Sequence, residues 1–279
     1  MTRDEVVGMF AGVFIGDMLG APYEFTEPVG IDNAHQISLT TGGAHDVSLG
    51  EYTDDGALTL ALGESYVANG GLNFADIVTR FNGWRRAGTY GTRDHCFDIG
   101  ATTDAAIGRM KHDRPFAATA GKYDSGNGSL MRIAACIAAN HWHPMNAIAD
   151  TIAVSLMTHG NKDIIDYTTA FIGDVMGEKT KNVKSTNLRY RNMEHKGTIM
   201  YAYSAATTAV HYARGDGERA LQIAVSLGYD TDTNAAITGM LMGAHHGIDC
   251  FPQKYVDALQ NKQRIFEVAD ALYELGNTK

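Results

Sequence analysis

The chain is poor in residues that interrupt helices or cross-link loops. It contains only five prolines in 279 residues, and its three cysteines, Cys96, Cys136 and Cys250, are widely spaced. Such a set forms neither a disulfide framework nor a zinc-binding motif, so we expect three reduced thiols. Because proline breaks helices and alanine favours them, scarce proline beside abundant alanine indicates a helical protein.

Long apolar runs and positive charge are also scarce. No stretch approaches the ~20 uninterrupted apolar residues of a membrane helix, and the first five residues lack the basic start of a signal peptide. Acidic residues outnumber lysine and arginine by 32 to 23, for a formal net charge of −9. This balance argues against non-specific nucleic-acid binding, though not against a phosphate-bearing ligand held locally. We therefore expect a soluble cytoplasmic protein without a membrane partner.

Apolar residues recur at helical spacing through most of the chain, and the alternation typical of strands is nearly absent. The spacing predicts helices over residues 6–19, 54–69, 74–86, 102–111, 130–140, 144–157, 162–177, 201–213, 218–227, 233–244 and 253–275. Along the first helix, Gly8, Gly12, Gly16 and Gly20 recur at every fourth position, which allows another helix or backbone to approach closely. No repeat and no domain boundary is visible, so the predicted fold class is all-α, with one domain over residues 1–279.

Two segments break the helical pattern. Residues 27–50 are rich in glycine, threonine and histidine, and loops of this length often act as lids over functional sites. Residues 178–197 carry six lysine and arginine residues. A solvated loop is the ordinary interpretation of that second segment, and a basic flap that meets an acidic or phosphorylated substrate is the alternative.

Two clusters of acids and hydroxyls lie far apart in the chain, at Thr53-Asp54-Asp55 and at Asp230-Thr231-Asp232-Thr233. Taken singly, each could be a helix cap or an Asx turn. Like charges repel, and burial penalises each of them, so the pair of clusters indicates a cation that unites them. Carboxylate and hydroxyl oxygens, with no Cys or His at ligand spacing, suit Mg²⁺ or Mn²⁺ rather than Zn²⁺. The clusters together predict a metal-dependent enzyme.

Other polar residues stand in positions with two interpretations. The turn Ser125-Gly126-Asn127-Gly128-Ser129 precedes a predicted helix and is either a capped turn or an anion site suited to a diphosphate. Asp17, inside an apolar helix, needs a partner, either a helix end or the metal site. Glu24 follows that helix and could project into a cleft. Asp98 could cap the next helix, and His159 could be an ordinary helix-end histidine.

Together these motifs resemble the ADP-ribosylglycohydrolase family, which includes the dinitrogenase reductase-activating glycohydrolases. The matching elements run in the family's order from GVFIGDMLGAPYE through YTDD, DIGATT, SGNGSLMR and THG to GYDTDTNAAITGMLMGA. They span roughly residues 6–247. The resemblance implies an all-α hydrolase with two Mg²⁺ or Mn²⁺ ions, for which ADP-ribosylated protein and ADP-ribose are the partners.

The resemblance also assigns roles to individual residues. It implies that the ion ligands are Thr53, Asp54, Asp55, Asp230, Asp232 and Thr233. It implies that Asp54, Asp55, Asp98 and Glu24 are catalytic, and that Ser125, Gly126, Asn127, Gly128, Ser129 and His159 bind substrate. Tyr229, next to the ligands, is a further candidate for substrate binding, because its ring could stack on a base or ribose or could simply narrow the cleft. Asp98 matches the aspartate that relatives acting on ADP-ribosylated arginine use near the guanidinium, which favours arginine as the modified residue. An aspartate can form bidentate hydrogen bonds with a guanidinium.

The chain departs from the family pattern at two positions. Family members usually have threonine where this chain has Gly56, and often glycine or asparagine where it has Tyr229. Neither change replaces a residue of the implied ion-ligand set, so we expect the chain to be an active hydrolase. The alternatives that stay open are hydrolysis of serine-linked, poly- or O-acetyl-ADP-ribose or of ADP-ribosylated nucleic acid, and a non-catalytic protein that binds ADP-ribose or a toxin.

Overall fold

The computed structural model describes residues 1–121, 125–177 and 197–278. The α-helices in these residues are α1 (Arg3–Gly20), α2 (Asp54–Asn69), α3 (Phe74–Ala87), α4 (Ala101–Arg109), α5 (Ala134–Ala138), α6 (Pro144–Leu156), α7 (Lys162–Met176), α8 (Ile199–Ala213), α9 (Gly217–Ser226), α10 (Thr231–His246), α11 (Gln253–Ala258) and α12 (Lys262–Asn277). The described residues contain isolated β-bridges and no β-strand. The prediction of an all-α fold is confirmed.

Most predicted helices agree with the structure to within a few residues, and α2 begins and ends where the sequence predicts. Two predictions are wrong. The helix predicted over residues 130–140 is α only from Ala134 to Ala138. The helix predicted over residues 253–275 is interrupted between α11 and α12, because Asn261 has a φ of 55° and a left-handed residue cannot continue a right-handed helix.

The centre of the fold is a close antiparallel pair of helices, α1 and α10. A Cβ atom added at Gly12 would lie 2.3 Å from the carbonyl oxygen of Gly239, and one added at Gly16 would lie 2.0 Å from that of Ala235. These separations are far shorter than a van der Waals contact, so only residues without a Cβ atom let the two backbones touch. The close approach predicted from the glycine spacing is confirmed, and its partner is α10.

The surroundings of α1 are those of a core helix. Residues Arg3–Tyr23 are long and apolar enough to cross a membrane by length and composition, yet 94% of their most apolar window is buried inside the protein. Helices α2, α5 and α12 pack around the same element. The apolar character of α1 is therefore accounted for by burial against neighbouring helices.

Candidate active site

The N-terminus of α2 is capped by a side chain from α1. The carboxylate of Asp17 is fully buried and accepts hydrogen bonds from the backbone N–H of Thr53 at 2.9 and 3.0 Å and of Gly56 at 2.8 Å. Thr53 itself makes no side-chain capping bond. Because Asp17 satisfies the helix end, the Thr53 hydroxyl and the carboxylates of Asp54 and Asp55 are available for other partners.

The start of α10 is fixed against the end of α1. Thr231 donates its hydroxyl hydrogen bond to the carbonyl of Gly20 at 2.8 Å. A Cβ atom on Gly20 would lie 2.5 Å from the Cα atom of Asp232. The backbone contact between these helices therefore determines where Asp232 and Thr233 stand.

The two acid–hydroxyl clusters meet at this point. Thr53 Oγ1 donates to Asp232 Oδ2 at 3.2 Å, and Thr233 Oγ1 donates to Asp55 Oδ2 at 3.2 Å. The bonded residues are 179 and 178 positions apart in sequence. Each cluster supplies a hydroxyl to a carboxylate of the other, so the clusters form one polar site.

The joined clusters form one wall of a cavity of about 400 Å³. Five acidic residues line it: Glu24, Asp54, Asp98, Asp230 and Asp232. Among the described residues that line the cavity there is no lysine and no arginine. Ionised carboxylates gathered in this way repel one another, and either protonation or a bound cation offsets that repulsion.

Burial makes the ionised form of these acids costly. It raises the pKa of Asp54, Asp55 and Asp232 well above the ordinary range of an aspartate, and the neighbouring carboxylates raise the same pKa values further. Burial also raises the pKa of Glu24 to about 10, again with help from adjacent acids. A cation in the cavity would restore the ionised forms by offsetting both effects.

The oxygen atoms fit a hard divalent cation. Among the described residues, Asp55 Oδ1 and Asp232 Oδ1 are buried atoms without a hydrogen-bond partner. Carboxylate oxygens of Asp54, Asp98 and Asp232 lie within 4.8 Å of one another, close enough to share a small ion. Buried orphan oxygens beside threonine hydroxyls form a donor set of oxygen alone, which is the preference of hard divalent ions.

These pKa shifts predict how stability depends on pH. Burial raises the pKa of Asp17 to about 7 and that of Glu24 to about 10, whereas the same groups titrate near 4 in an unfolded chain. The folded state therefore binds more protons, and stability should fall as pH rises from about 5 to about 8 without divalent ions. Melting temperatures measured in EDTA and in Mn²⁺ across this range check the prediction. The gain from Mn²⁺ should grow with pH, and a melting temperature in EDTA that rises with pH would contradict the prediction.

The glycine-rich turn faces the acids from the other side of the cavity. Asn127 Nδ2 donates to Asp230 Oδ2 at 2.8 Å, which joins the turn to the wall formed by the two acid–hydroxyl clusters. Cβ atoms added at Gly126 and Gly128 would lie 3.2 and 3.3 Å from atoms of the His159 ring. The two glycines therefore leave room for the buried imidazole of His159 beside the cavity.

A buried arginine, Arg132, holds this side of the cavity together. Its Nη1 donates to the carbonyl of Gly128 at 2.8 Å, and its Nη2 donates to the Thr158 hydroxyl at 2.6 Å, which lies 2.7 Å from His159 Nδ1. Burial lowers the pKa of Arg132 to about 10. No sequence motif includes a role for Arg132, although an arginine among apolar residues is a usable signal of a structural polar contact.

The turn differs from the predicted helix N-terminus. Asn127–Ser129 form a 3₁₀ turn, and the next α-helix, α5, begins only at Ala134. The backbone N–H of Asn127 donates to the carbonyl of Gly197. Gly126, Asn127 and Gly128 line the cavity, whereas Ser125 and Ser129 are absent from its described lining, and Ser129 is fully buried.

Asp98 lies beside Asp54 and Asp232 and has a strained backbone conformation. Its φ of 59° is in the left-handed region, which is uncommon for a residue other than glycine. The interpretation of Asp98 as a helix cap is wrong, because α4 is preceded by Gly100 and has no side-chain cap. Its side chain is 10% exposed, and that of Glu24 is 6% exposed, so both carboxyl groups are nearly buried.

A residue that the sequence analysis missed, His45, lies beside these two acids. Its Nε2 atom is 2.8 Å from Glu24 Oε2 and 3.0 Å from Asp98 Oδ1. His45 belongs to the segment 27–50, in which a 3₁₀ helix, Ile31–Gln36, is followed by a turn closed by Gly42 and Val47. Nothing in the spacing distinguishes His45 from the exposed His35, so only the three-dimensional structure identifies it.

The two departures from the family pattern have physical reasons. A Cβ atom at Gly56 would lie 2.5 Å from the ring of Tyr52, so that ring fills the space of a larger side chain. Tyr229 has a φ of 65°, in the region that glycine and asparagine adopt most readily. Its hydroxyl donates to Glu27 at 3.0 Å, and the residue lines a separate cavity of about 810 Å³. Tyr229 is absent from the described lining of the acidic cavity.

The predicted basic flap over residues 178–197 lies outside the described residues except for Gly197, which lines the cavity. The lid interpretation of residues 27–50 stays a prediction.

A single protein-family model matches the whole chain. The family model described as ADP-ribosylglycohydrolase matches residues 1–176 and 167–279. A solved structure described as an ADP-ribosylglycohydrolase-related protein complex aligns with a TM-score of 0.81 and 26% identity, and the match covers 98% of each chain.

Characterised relatives extend the comparison. The chain is 30% identical to ADP-ribosyl-[dinitrogen reductase] glycohydrolase of Rhodospirillum rubrum, over 98% of this chain and 97% of that protein. It is 27% identical to ADP-ribosylarginine hydrolase Tri1 of Serratia proteamaculans, over 97% and 79% of the two chains. It is 23% identical to human ADP-ribosylhydrolase ARH3, over 96% and 92%.

Proposed function

Because this chain belongs to the ADP-ribosylglycohydrolase family, we propose that it removes ADP-ribose from modified proteins and that arginine is the modified residue. The observation that carries the proposal is the single cavity where the Thr53-Asp54-Asp55 and Asp230–Thr233 clusters meet the glycine-rich turn. Relatives named ADP-ribosylarginine hydrolase and ADP-ribosyl-[dinitrogen reductase] glycohydrolase align over nearly the whole chain.

The proposal includes two Mg²⁺ or Mn²⁺ ions. The residues that would hold them are Thr53, Asp54, Asp55, Asp230, Asp232 and Thr233. When bound, such ions polarise sugar hydroxyls and make water a better nucleophile at neutral pH. The orphan oxygens of Asp55 and Asp232 support this assignment, as does the absence of lysine and arginine from the described cavity lining.

The reaction breaks the bond between the anomeric carbon of the ribose and the guanidinium nitrogen. A water molecule gives its hydroxyl to that carbon and its proton to the nitrogen, through a transition state with oxocarbenium character. The carboxylates of the cavity stabilise the positive charge that develops on the sugar. Asn127 and the two flanking glycines provide the wall on which the substrate's diphosphate or neighbouring ribose would rest.

Arginine as the modified residue is supported by two further acids of the cavity. Asp98 and Glu24 are nearly buried, and Asp98 Oδ2 is an orphan acceptor among the described residues. A guanidinium supplies several N–H donors in one plane, which suits a pair of carboxylates. A neutral serine hydroxyl would leave the same acceptors unpaired.

The proposal is tested by incubating the protein with an arginine-ADP-ribosylated protein in Mg²⁺, Mn²⁺ or EDTA. We expect ADP-ribose release with either ion and none in EDTA. A serine-linked substrate is run in parallel. Release from the serine-linked substrate alone would contradict the arginine assignment, and no release from any substrate would favour a binding protein on this fold.

Asp98→Ala should reduce kcat/KM for the arginine-linked substrate by about 10- to 100-fold, because a buried charged hydrogen bond to the guanidinium is lost. The loss on a serine-linked substrate should be smaller. Steady-state kinetics on both substrates measure the difference. The matched control is Asp113→Ala, at an exposed aspartate after α4, which should match wild type. An equal loss on both linkages would contradict the role of Asp98.

A further inference from the structure

We infer that His45 is a positioning residue of the active site, which sets the orientation of the Glu24 and Asp98 carboxyl groups toward the leaving group. This inference rests on the proposed function and adds a residue to it. His45 lies in the segment 27–50, outside every motif that the family resemblance uses. Among the residues that the structure describes, His45 is the one whose imidazole contacts both of these acids.

The geometry shows one nitrogen shared between two acids. His45 Nε2 lies 2.8 Å from Glu24 Oε2 and 3.0 Å from Asp98 Oδ1, yet neither contact has the alignment of a hydrogen bond. One ring nitrogen of His45 therefore lies in contact with both carboxyl groups. Removing the ring would leave a gap beside two nearly buried acids, and their side chains could then move away from their present positions.

The position of the ring is determined by its own segment. Arg93 Nη2 donates to the carbonyls of His45 and Asp46 at 3.0 and 3.2 Å, and also to Glu51 Oε2 at 2.8 Å. This partly buried arginine contact anchors the backbone of the turn to the start of the segment that leads into α2. A side chain presented by an anchored turn can act as a fixed reference for its neighbours.

Two aromatic residues flank the imidazole. Its centroid is 5.9 Å from that of Phe25 and 6.0 Å from that of Phe97. Phe25 follows Glu24 in sequence and lines the cavity, and Phe97 precedes Asp98. The ring thus lies between the two short segments that carry the acids, so it sets the separation of those segments.

The consequence for the reaction follows from the orientation of Asp98. Its Oδ1 contacts His45, and its Oδ2 is an orphan acceptor among the described residues. With Oδ1 engaged, Oδ2 is the oxygen that remains to receive a donor of the leaving group. His45 acts on the reacting bond only through the orientation of the two carboxyl groups.

The test compares His45→Ala, His45→Gln and the matched control His35→Ala, at the exposed histidine of the same segment. Misplaced acids should lower kcat of His45→Ala by about 100-fold, with KM changed much less. Affinity for free ADP-ribose, measured by calorimetry, should stay within about twofold of wild type, because ADP-ribose has no leaving group. His45→Gln, which keeps an N–H donor, should recover part of the loss, and added imidazole should restore part of the activity of His45→Ala.

The outcomes separate the two proposals. If wild type releases ADP-ribose and His45→Ala matches it, the role of His45 is overturned. If His45→Ala lowers turnover, ADP-ribose affinity and melting temperature together, and neither glutamine nor imidazole restores activity, the role of His45 is structural. That result would also overturn the inference. If wild type cleaves no linkage, the proposed function itself fails, and the inference falls with it.

Discussion

Replacing Asp55 by alanine is expected to lower ADP-ribose release by at least about 1,000-fold while the helical fold survives, because loss of a bound ion removes several kcal/mol of transition-state stabilisation. Asp55 is fully buried and accepts contacts from the hydroxyls of both clusters, Thr233 at 3.2 Å and Thr53 at 3.5 Å. Its other oxygen has no hydrogen-bond partner among the described residues. The rate of ADP-ribose release tests the loss of activity. Calorimetry tests whether Mn²⁺ still binds, and circular dichroism tests whether the helical fold is retained.

The stability of an Asp55 variant tests the same site without a measurement of activity. Asp55→Asn keeps the size of the side chain but removes a buried charge from a group of mutually repelling acids. Without divalent ions it should therefore melt at or above the temperature of wild type, although it is inactive. Asp113→Ala serves again as the control. Activity retained in Asp55→Ala would refute the assignment of the metal site.

Replacing Gly16 by alanine is expected to destabilise the protein by about 2 kcal/mol or more, even though alanine is the better helix former by about 1 kcal/mol. The new Cβ atom would lie 2.0 Å from the carbonyl oxygen of Ala235, and that neighbour is backbone, which cannot rotate away. Helices α1 and α10 would have to separate. Urea unfolding monitored by circular dichroism measures the change in free energy.

The control for Gly16 lies on another helix. Gly173 is an exposed glycine inside α7, and a Cβ atom added there meets nothing within 4 Å. Gly173→Ala should therefore stabilise the protein by about 0.5–1 kcal/mol through helix propensity alone. If both alanine variants shift stability in the same direction, the close helix contact does not have the importance that its geometry indicates.

Much of this architecture is present in local sequence patterns. Helical spacing predicted the helices because an amphipathic or buried helix repeats every few residues, and the spacing of glycines predicted a close contact. The pair of acid–hydroxyl clusters indicated a shared site because such residues rarely occur twice in small-residue surroundings. These signals depend on chemistry within a window of a few residues.

The features that could not be predicted depend on contacts between distant residues. The identity of α10 as the partner of α1, and the capping of α2 by Asp17, are both absent from any local window. The break at Asn261 needs a left-handed residue, which asparagine tolerates but does not require. His45 is distinguished from other histidines only by the positions of Glu24 and Asp98, which no local pattern encodes.

The contact between α1 and α10 has a consequence for the order of events during synthesis. The Thr231 hydroxyl and the Gly20 carbonyl that it binds are 211 residues apart. Closing so long a loop costs conformational entropy, and contacts of such separation slow folding. The first apolar helix therefore leaves the ribosome long before its partner exists, and its apolar surface must be shielded by other means until then. A chain that ends before residue 230 lacks Asp230, Asp232 and Thr233, which are three of the six proposed ion ligands, so translation must be nearly complete before the active centre can form.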